Sequence, residues 1–120
     1  RFMEPKEIQD SMTSIDPNKA INFIIENAPK YAEAKSQRVY LENFLKVKKA
    51  QLMQDCKNEP VSRAEAYSLA HPDYLLIVEG IKIAMLEEEK LKYFLEAARL
   101  RAEIWRSQEA SNRNIDKATR

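Results

Sequence analysis

Few residues in this chain are able to do chemistry by themselves. One histidine, His71, and one cysteine, Cys56, stand in 120 residues. A zinc site needs several such ligands brought together, so two of them cannot build one. Glu87, Glu88 and Glu89 are three adjacent carboxylates, but on a helix neighbours point to different sides, which reads as a solvated charge run and not as a Mg²⁺ site. Nucleophilic catalysis would have to recruit Cys56 or a serine with His71, and no spacing supports that. The one glycine, Gly80, stands alone, so there is no phosphate-cradling loop; its expected role is to permit a close helix crossing beside Ile81. The expected protein is therefore not an enzyme and uses no cofactor or metal.

What remains is a pattern of cations. The net charge is only +1, but it is unevenly spread. Residues 1–29 carry −2, residues 30–57 carry +4, residues 58–98 carry −4 and residues 99–120 carry +3. Arg106 and Arg113 are seven apart and share a helix face, with Asn112 close to it. Glu103 and Glu109 are placed to pair with Arg99 and Arg106.

The element that must position these cations is a helix from Asp73 to about Ala110. Its apolar residues recur at spacings of four and three: Ile77, Ile81, Ala84, Leu91, Leu95, Ala98, Ala102 and Trp105, broken only by Glu88. This is a coiled-coil spacing. Ile77, Ile81, Leu91, Leu95 and Trp105 are its expected core or oligomer-interface residues. A second long helix is expected over about 29–56, with Tyr31, Ala34, Leu41, Phe44, Leu45 and Leu52 on its apolar face. Arg38 and Lys48 fall inside that stripe. Their stems can pack while their heads reach water, or Arg38 can pair with one of Glu87, Glu88 or Glu89.

Local signals mark the boundaries. Asp16-Pro17 is an N-cap followed by proline at the first helical position, and it opens a short helix to about Asn27. Pro29 is expected to restart the chain. Ser62 and Glu65 fit a capping box for a second short helix ending near Ala70. His71-Pro72 closes that piece, and Pro72 with Asp73 opens the central helix. The tripeptide His71-Pro72-Asp73 also occurs between two helices of the J domain, but the basic helix of that module is missing here and helix-boundary chemistry explains it better. Residues 1–15, with Ile8, Met12 and Ile15 at helical spacing, and residues 111–120 are expected to fray.

The expected fold is a single all-α domain over residues 1–120: an antiparallel long-helix hairpin with two short helices, coiled-coil-like, completed by oligomerisation, with a dimer favoured. Facing residue numbers should add to about 129. Lys46, Lys48 and Lys49 would then lie opposite the Glu79 region, while Lys30, Lys35 and Arg38 would join Arg99, Arg101 and Arg106 in one basic pole. Such a pole is the minimum footprint of phosphate binding. The absence of an 18-residue apolar run argues against a membrane span.

Several motifs resemble a family of small helical proteins of tailed bacteriophages and prophages. They are Tyr31-Ala32-Glu33-Ala34-Lys35, Arg38-Val39-Tyr40-Leu41-Glu42, Lys48-Lys49-Ala50-Gln51-Leu52-Met53, Ala70-His71-Pro72-Asp73-Tyr74 and the run from Ile104-Trp105-Arg106-Ser107-Gln108 through Glu109-Ala110-Ser111-Asn112-Arg113. The resemblance spans about residues 17–120. Such genes lie near those for single-strand annealing and DNA-binding proteins. It implies a protein of the bacterial host cytoplasm that assists recombination or replication, with DNA (including single-stranded DNA) or a phage or host recombination protein as partner. Lys35, Arg38, Arg99, Arg106 and Arg113 are the expected nucleic-acid contacts, acting on the backbone without base specificity. The alternative is a protein-interaction module that inhibits or adapts a host nuclease or defence complex.

Overall fold

A computed structural model of the chain describes residues 15–119. Among these residues it is all-helical, with three helices: α1, Pro17–Gln54; α2, Val61–Ala70; and α3, Pro72–Thr119. The fraying expected of residues 1–15, Ile8 and Met12 included, falls almost wholly outside the described residues. None of the described helices is long and apolar enough to cross a membrane.

The start of α1 follows its sequence signal. Asp16 Oδ1 accepts from the amide of Asn18 at 2.9 Å and of Lys19 at 3.4 Å, and the Asp16 carbonyl takes the amide of Ala20. Pro17 loses nothing at the first position, where an amide would have no helical partner.

Pro29 does not restart the chain, contrary to the expected helices to about Asn27 and from 29 to 56. It sits inside one helix. Proline removes the amide that would bond the Ile25 carbonyl and crowds that carbonyl. Both Pro29 and Ile25 are exposed, so water can take the missing donor's place. Close by, Asn27 Nδ2 donates to the Phe23 carbonyl at 2.9 Å, adding a bond where the ladder weakens. The buried and half-buried positions also keep phase through the proline: Ala20, Ile24, Asn27, Tyr31, Ala34, Arg38, Leu41, Leu45, Lys48 and Leu52. Those spacings alternate four and three, so packing along one stripe outweighs the local cost.

The chain forms two compact units. One is Arg1–Pro29 with Leu91–Arg120, the other Lys30–Lys90, so α1 and α3 contribute to each. In the Lys30–Lys90 unit, Arg38 bonds Glu88, Gly80 lies beside Leu41, and Lys48 pairs with Asp73 at 3.5 Å. Later residues of α1 therefore meet earlier residues of α3. The paired numbers add to between 121 and 126, below the expected 129, because α1 ends at Gln54 and α3 already begins at Pro72. A Cβ built on Gly80 would sit 3.4 Å from Leu41 Cδ1, an ordinary contact, so the approach does not demand glycine there.

The α2 boundary corrects another expectation. Ser62 and Glu65 form no capping box: Pro60 is the N-cap, makes no side-chain bond, and its carbonyl accepts from the amides of Arg63 and Ala64. With the helix starting two residues early, Ser62 is already inside the first turn. Two small residues, Ala64 and Ser68, are the buried face of α2, and Ser68 Oγ donates to the Ala64 carbonyl at 2.9 Å. His71 then serves both neighbours. Its amide closes α2 on the Ser68 carbonyl, and its Nδ1 accepts from the Asp73 amide at 3.0 Å to cap α3.

α3 also runs past the expected end at Ala110, through Ser111-Asn112-Arg113-Asn114 to Thr119. Serine and asparagine each cost only about half a kcal/mol against alanine, and neither stops a helix as proline would. The continuity of α1 gives a direct check. Replacing exposed Pro29 by alanine restores an amide donor inside a helix, so Pro29→Ala should stabilise the protein by about 1–3 kcal/mol in thermal unfolding followed by circular dichroism. A neutral or destabilising result would place a helix start at Pro29.

Candidate nucleic-acid interface

In the unit containing Leu91–Arg120, α3 carries Arg99, Arg106 and Arg113 at intervals of seven, which places them on one side of the helix about 10.5 Å apart along its axis. All three are exposed. Arg99 Nη1 bonds Glu103 Oε1 at 3.1 Å, as its i,i+4 spacing allows. The expected pair of Arg106 with Glu109 does not form. Its i,i+3 spacing with the cation first is the poorer orientation, and Glu109 is half-buried. Arg106 and Arg113 have no ion-pair partner among the described residues.

Trp105, expected as a core or oligomer-interface residue, is not part of the buried core of the chain. It is 37% exposed, while Leu91 and Ala98 of the same stripe are buried and Leu95 is half-buried. In this unit the stripe passes from buried Ala98 to half-buried Ala102 and then to exposed Trp105. Beside the arginines, Leu100, Glu103, Ile104, Ser107, Gln108, Ser111 and Asn112 line a groove of about 450 Å³. A second groove of about 460 Å³ was not evident from sequence spacing. It lies between Asp16–Phe23 of α1 and Phe94–Arg101 of α3, floored by Ala20, Phe23, Phe94, Ala97 and Ala98 with Lys19 and Arg101 at its edge.

Lys35 and Arg38 belong to the Lys30–Lys90 unit. Lys35 is exposed and makes no ion pair among the described residues. Arg38 is different. Its Nε donates to Glu88 Oε2, its Nη2 to Glu88 Oε1 at 3.1 Å, and its Nη1 to both oxygens of Glu42 at 3.0 and 3.1 Å. The bonds to Glu88, then those to Glu42, raise the Arg38 pKa above its ordinary value. On the arginine's side of the pair, the associated stability is present below the ordinary arginine range and is lost as pH rises through the raised value. Four of the five guanidinium donors are taken by two carboxylates, whose charge offsets that of the cation, so Arg38 is the weakest of the candidate contacts.

This cluster explains the one break in the α3 stripe. Glu88 is 6% exposed, at the position where the 4-3 spacing calls for an apolar residue, and it survives there because Arg38 occupies the matching position on α1. Ile77 and Ile81 of the same stripe are half-buried and Ala84 is buried. Lys48 and Lys49 reach Asp73 at 3.5 Å and Glu65 at 3.7 Å, not the Glu79 region, and Glu79 pairs locally with Lys82. Cys56 is a half-buried free thiol. Among the described residues no group of three or more His, Cys, Asp or Glu side chains is placed to hold a metal ion.

No family model, curated protein or solved structure matches this chain. The site must therefore be argued from its own chemistry.

The Arg38 cluster yields a test of its structural role. Arg38→Ala strands Glu88 without its main partner and should lower the melting temperature by on the order of 10 °C. The double change Arg38→Met/Glu88→Leu should recover most of that loss, since it replaces a buried pair by apolar packing. Equal losses in both variants would mean the ion pair itself carries the stability.

Proposed function

We propose that this protein is a non-enzymatic accessory factor that contacts nucleic acid electrostatically through the arginine face of α3. The observation that carries this reading is the pair Arg106 and Arg113: exposed, on one side of a helix that extends to Thr119, and without ion-pair partners among the described residues. An arginine already paired must break that pair before it can neutralise a phosphate; these two need not. Arg99 extends the same line at the cost of releasing Glu103. Contact of this kind follows the backbone and reads no bases. Lys35, in the other unit, is a secondary candidate.

The resemblance of the sequence motifs to small phage proteins supplies the setting. In this reading the protein works in the cytoplasm of a bacterial host, beside DNA or a phage or host recombination protein. The finer architecture belongs to the same reading: the oppositely running contacts of the Lys30–Lys90 unit favour an antiparallel hairpin, completed by a second copy.

One observation favours a second reading. Tyr93, Leu100 and Ile104 are exposed apolar residues in line on α3, beside the groove of about 450 Å³. Such a strip suits a helix of another protein, and so a module that inhibits or adapts a host nuclease or defence complex.

Salt separates the two. Single- and double-stranded DNA binding should be compared at about 50 and 200 mM salt, the range over which phosphate contacts lose most affinity. Wild type should bind and weaken steeply with salt, and Arg106→Glu/Arg113→Glu should abolish binding while leaving helicity unchanged. Absence of DNA binding at the lower salt would reject the proposal in favour of a protein partner.

A further inference from the structure

In the Lys30–Lys90 unit the two sides of the α1–α3 layer differ in charge. Around α1, one flank of the buried stripe carries Lys35, Glu42, Lys46 and Lys49 with Val39 among them; the other, from Gln37 to Gln51, carries Tyr40, Phe44 and Val47 and no charge. Around α3, the corresponding flanks carry Leu75, Val78, Lys82, Met85 and Glu89 on one hand, and Leu76, Ile83, Glu87 and Lys90 on the other. Because α1 and α3 run in opposite directions through this unit, flanks reached in the same rotational sense lie on the same side. Tyr40, Phe44 and Val47 therefore share a side with Leu76 and Ile83. The connecting helix α2 lies against the other side, where Lys49 pairs with Glu65 at 3.7 Å.

The five apolar side chains on the open side are exposed: Tyr40 by 62%, Leu76 by 71% and Ile83 by 61%, with Phe44 and Val47 less so. The rings of Tyr40 and Phe44 stack at 6.1 Å, nearly parallel at 8°, which makes one flat ledge. The nearby Glu87 pairs with Lys90 at 3.5 Å.

We infer that this side is a two-fold contact with a second copy of the chain, in which the two ledges meet and four helices enclose a common core. It rests on the oligomeric part of the function proposed above and specifies the surface. Three features select a second copy as occupant. The cation on this side, Lys90, is already paired with Glu87, so the ledge offers no unmatched charge to a nucleic acid or a charged partner, whereas an apolar patch is complementary to itself. With side-chain areas on the order of 150–250 Å², the five residues expose roughly 600 Å², and two copies would bury about 1,200 Å², the lower bound of a specific interface. The opposite side carries the cations Lys35, Lys46, Lys49 and Lys82, which would repel their copies in a two-fold contact, and it meets α2 through the Lys49–Glu65 pair.

The test is light scattering of the full chain across a hundredfold range of concentration, for wild type, Tyr40→Glu/Leu76→Glu, and Val78→Glu on the opposite flank. Each ledge substitution counts twice in a two-fold contact, so the double variant should weaken dimerisation by about a hundredfold or more, and Val78→Glu should leave it near wild type. A second measurement guards against misfolding: amide exchange of wild type at high and low concentration should show added protection within 37–51 and 75–86 at high concentration only. A monomer at every concentration overturns the inference. So does a dimer that survives Tyr40→Glu/Leu76→Glu, or protection that appears only with a different protein. The double variant keeps Arg106 and Arg113, so loss of the dimer and loss of DNA binding are read independently.

Discussion

Small residues dominate what this chain buries. Among the described residues the buried apolar positions are Ala20, Ala34, Ala64, Ala84 and Ala98, with only Leu52 and Leu91 as larger side chains. Alanines at the stripe positions allow helices to approach closely, but each removes little surface from water. Larger stripe residues such as Leu41, Leu45, Ile77, Ile81 and Leu95 are only half-buried, and many large apolar side chains are exposed, at Tyr40, Leu76, Ile83, Leu86, Tyr93 and others. A scaffold of this kind has geometry without much hydrophobic stabilisation of its own. The proposed second copy follows from that imbalance.

Where the stripe is not apolar, it is charged and paired. Arg38 and Glu88 face each other at matching positions, and Lys48 reaches Asp73 at the end of the same seam. A buried pair of this kind adds little net stability, because desolvation offsets attraction, but a slipped register would strand both charges. The pair thus fixes which turn of α1 meets which turn of α3. The arginines of the Leu91–Arg120 segment are the contrary case. Arg106 and Arg113 sit past the last buried residue of their stripe, in water, with their donors unused among the described residues.

Much of this was legible because the signals were local or periodic. Asp16-Pro17 and Pro72-Asp73 opened helices where their chemistry said they would, and the 4-3 spacing of α3 located Glu88 as an exception that Arg38 could answer. The misses came from competition between levels. Pro29 looked like a start signal, yet Ile24, Asn27, Tyr31 and Ala34 keep the stripe in phase across it, and that longer pattern was available in the sequence. Ser62 and Glu65 matched a capping motif, but Pro60 took the cap two residues earlier. Trp105 matched the repeat and is nevertheless exposed, because a spacing says which side a residue faces and not whether anything covers it. The arginine face was visible as spacing; that Arg99 would be paired and Arg106 free of Glu109 depended on rotamers that no spacing encodes.

The most direct test of a scaffold that depends on a second copy is the concentration dependence of its thermal unfolding. A chain stabilised by self-association should melt lower on dilution, by on the order of 5–10 °C over a hundredfold range, because its stability is tied to protomer concentration. A midpoint that does not move with concentration would contradict the account, since the alanine-lined stripes would then suffice without a partner.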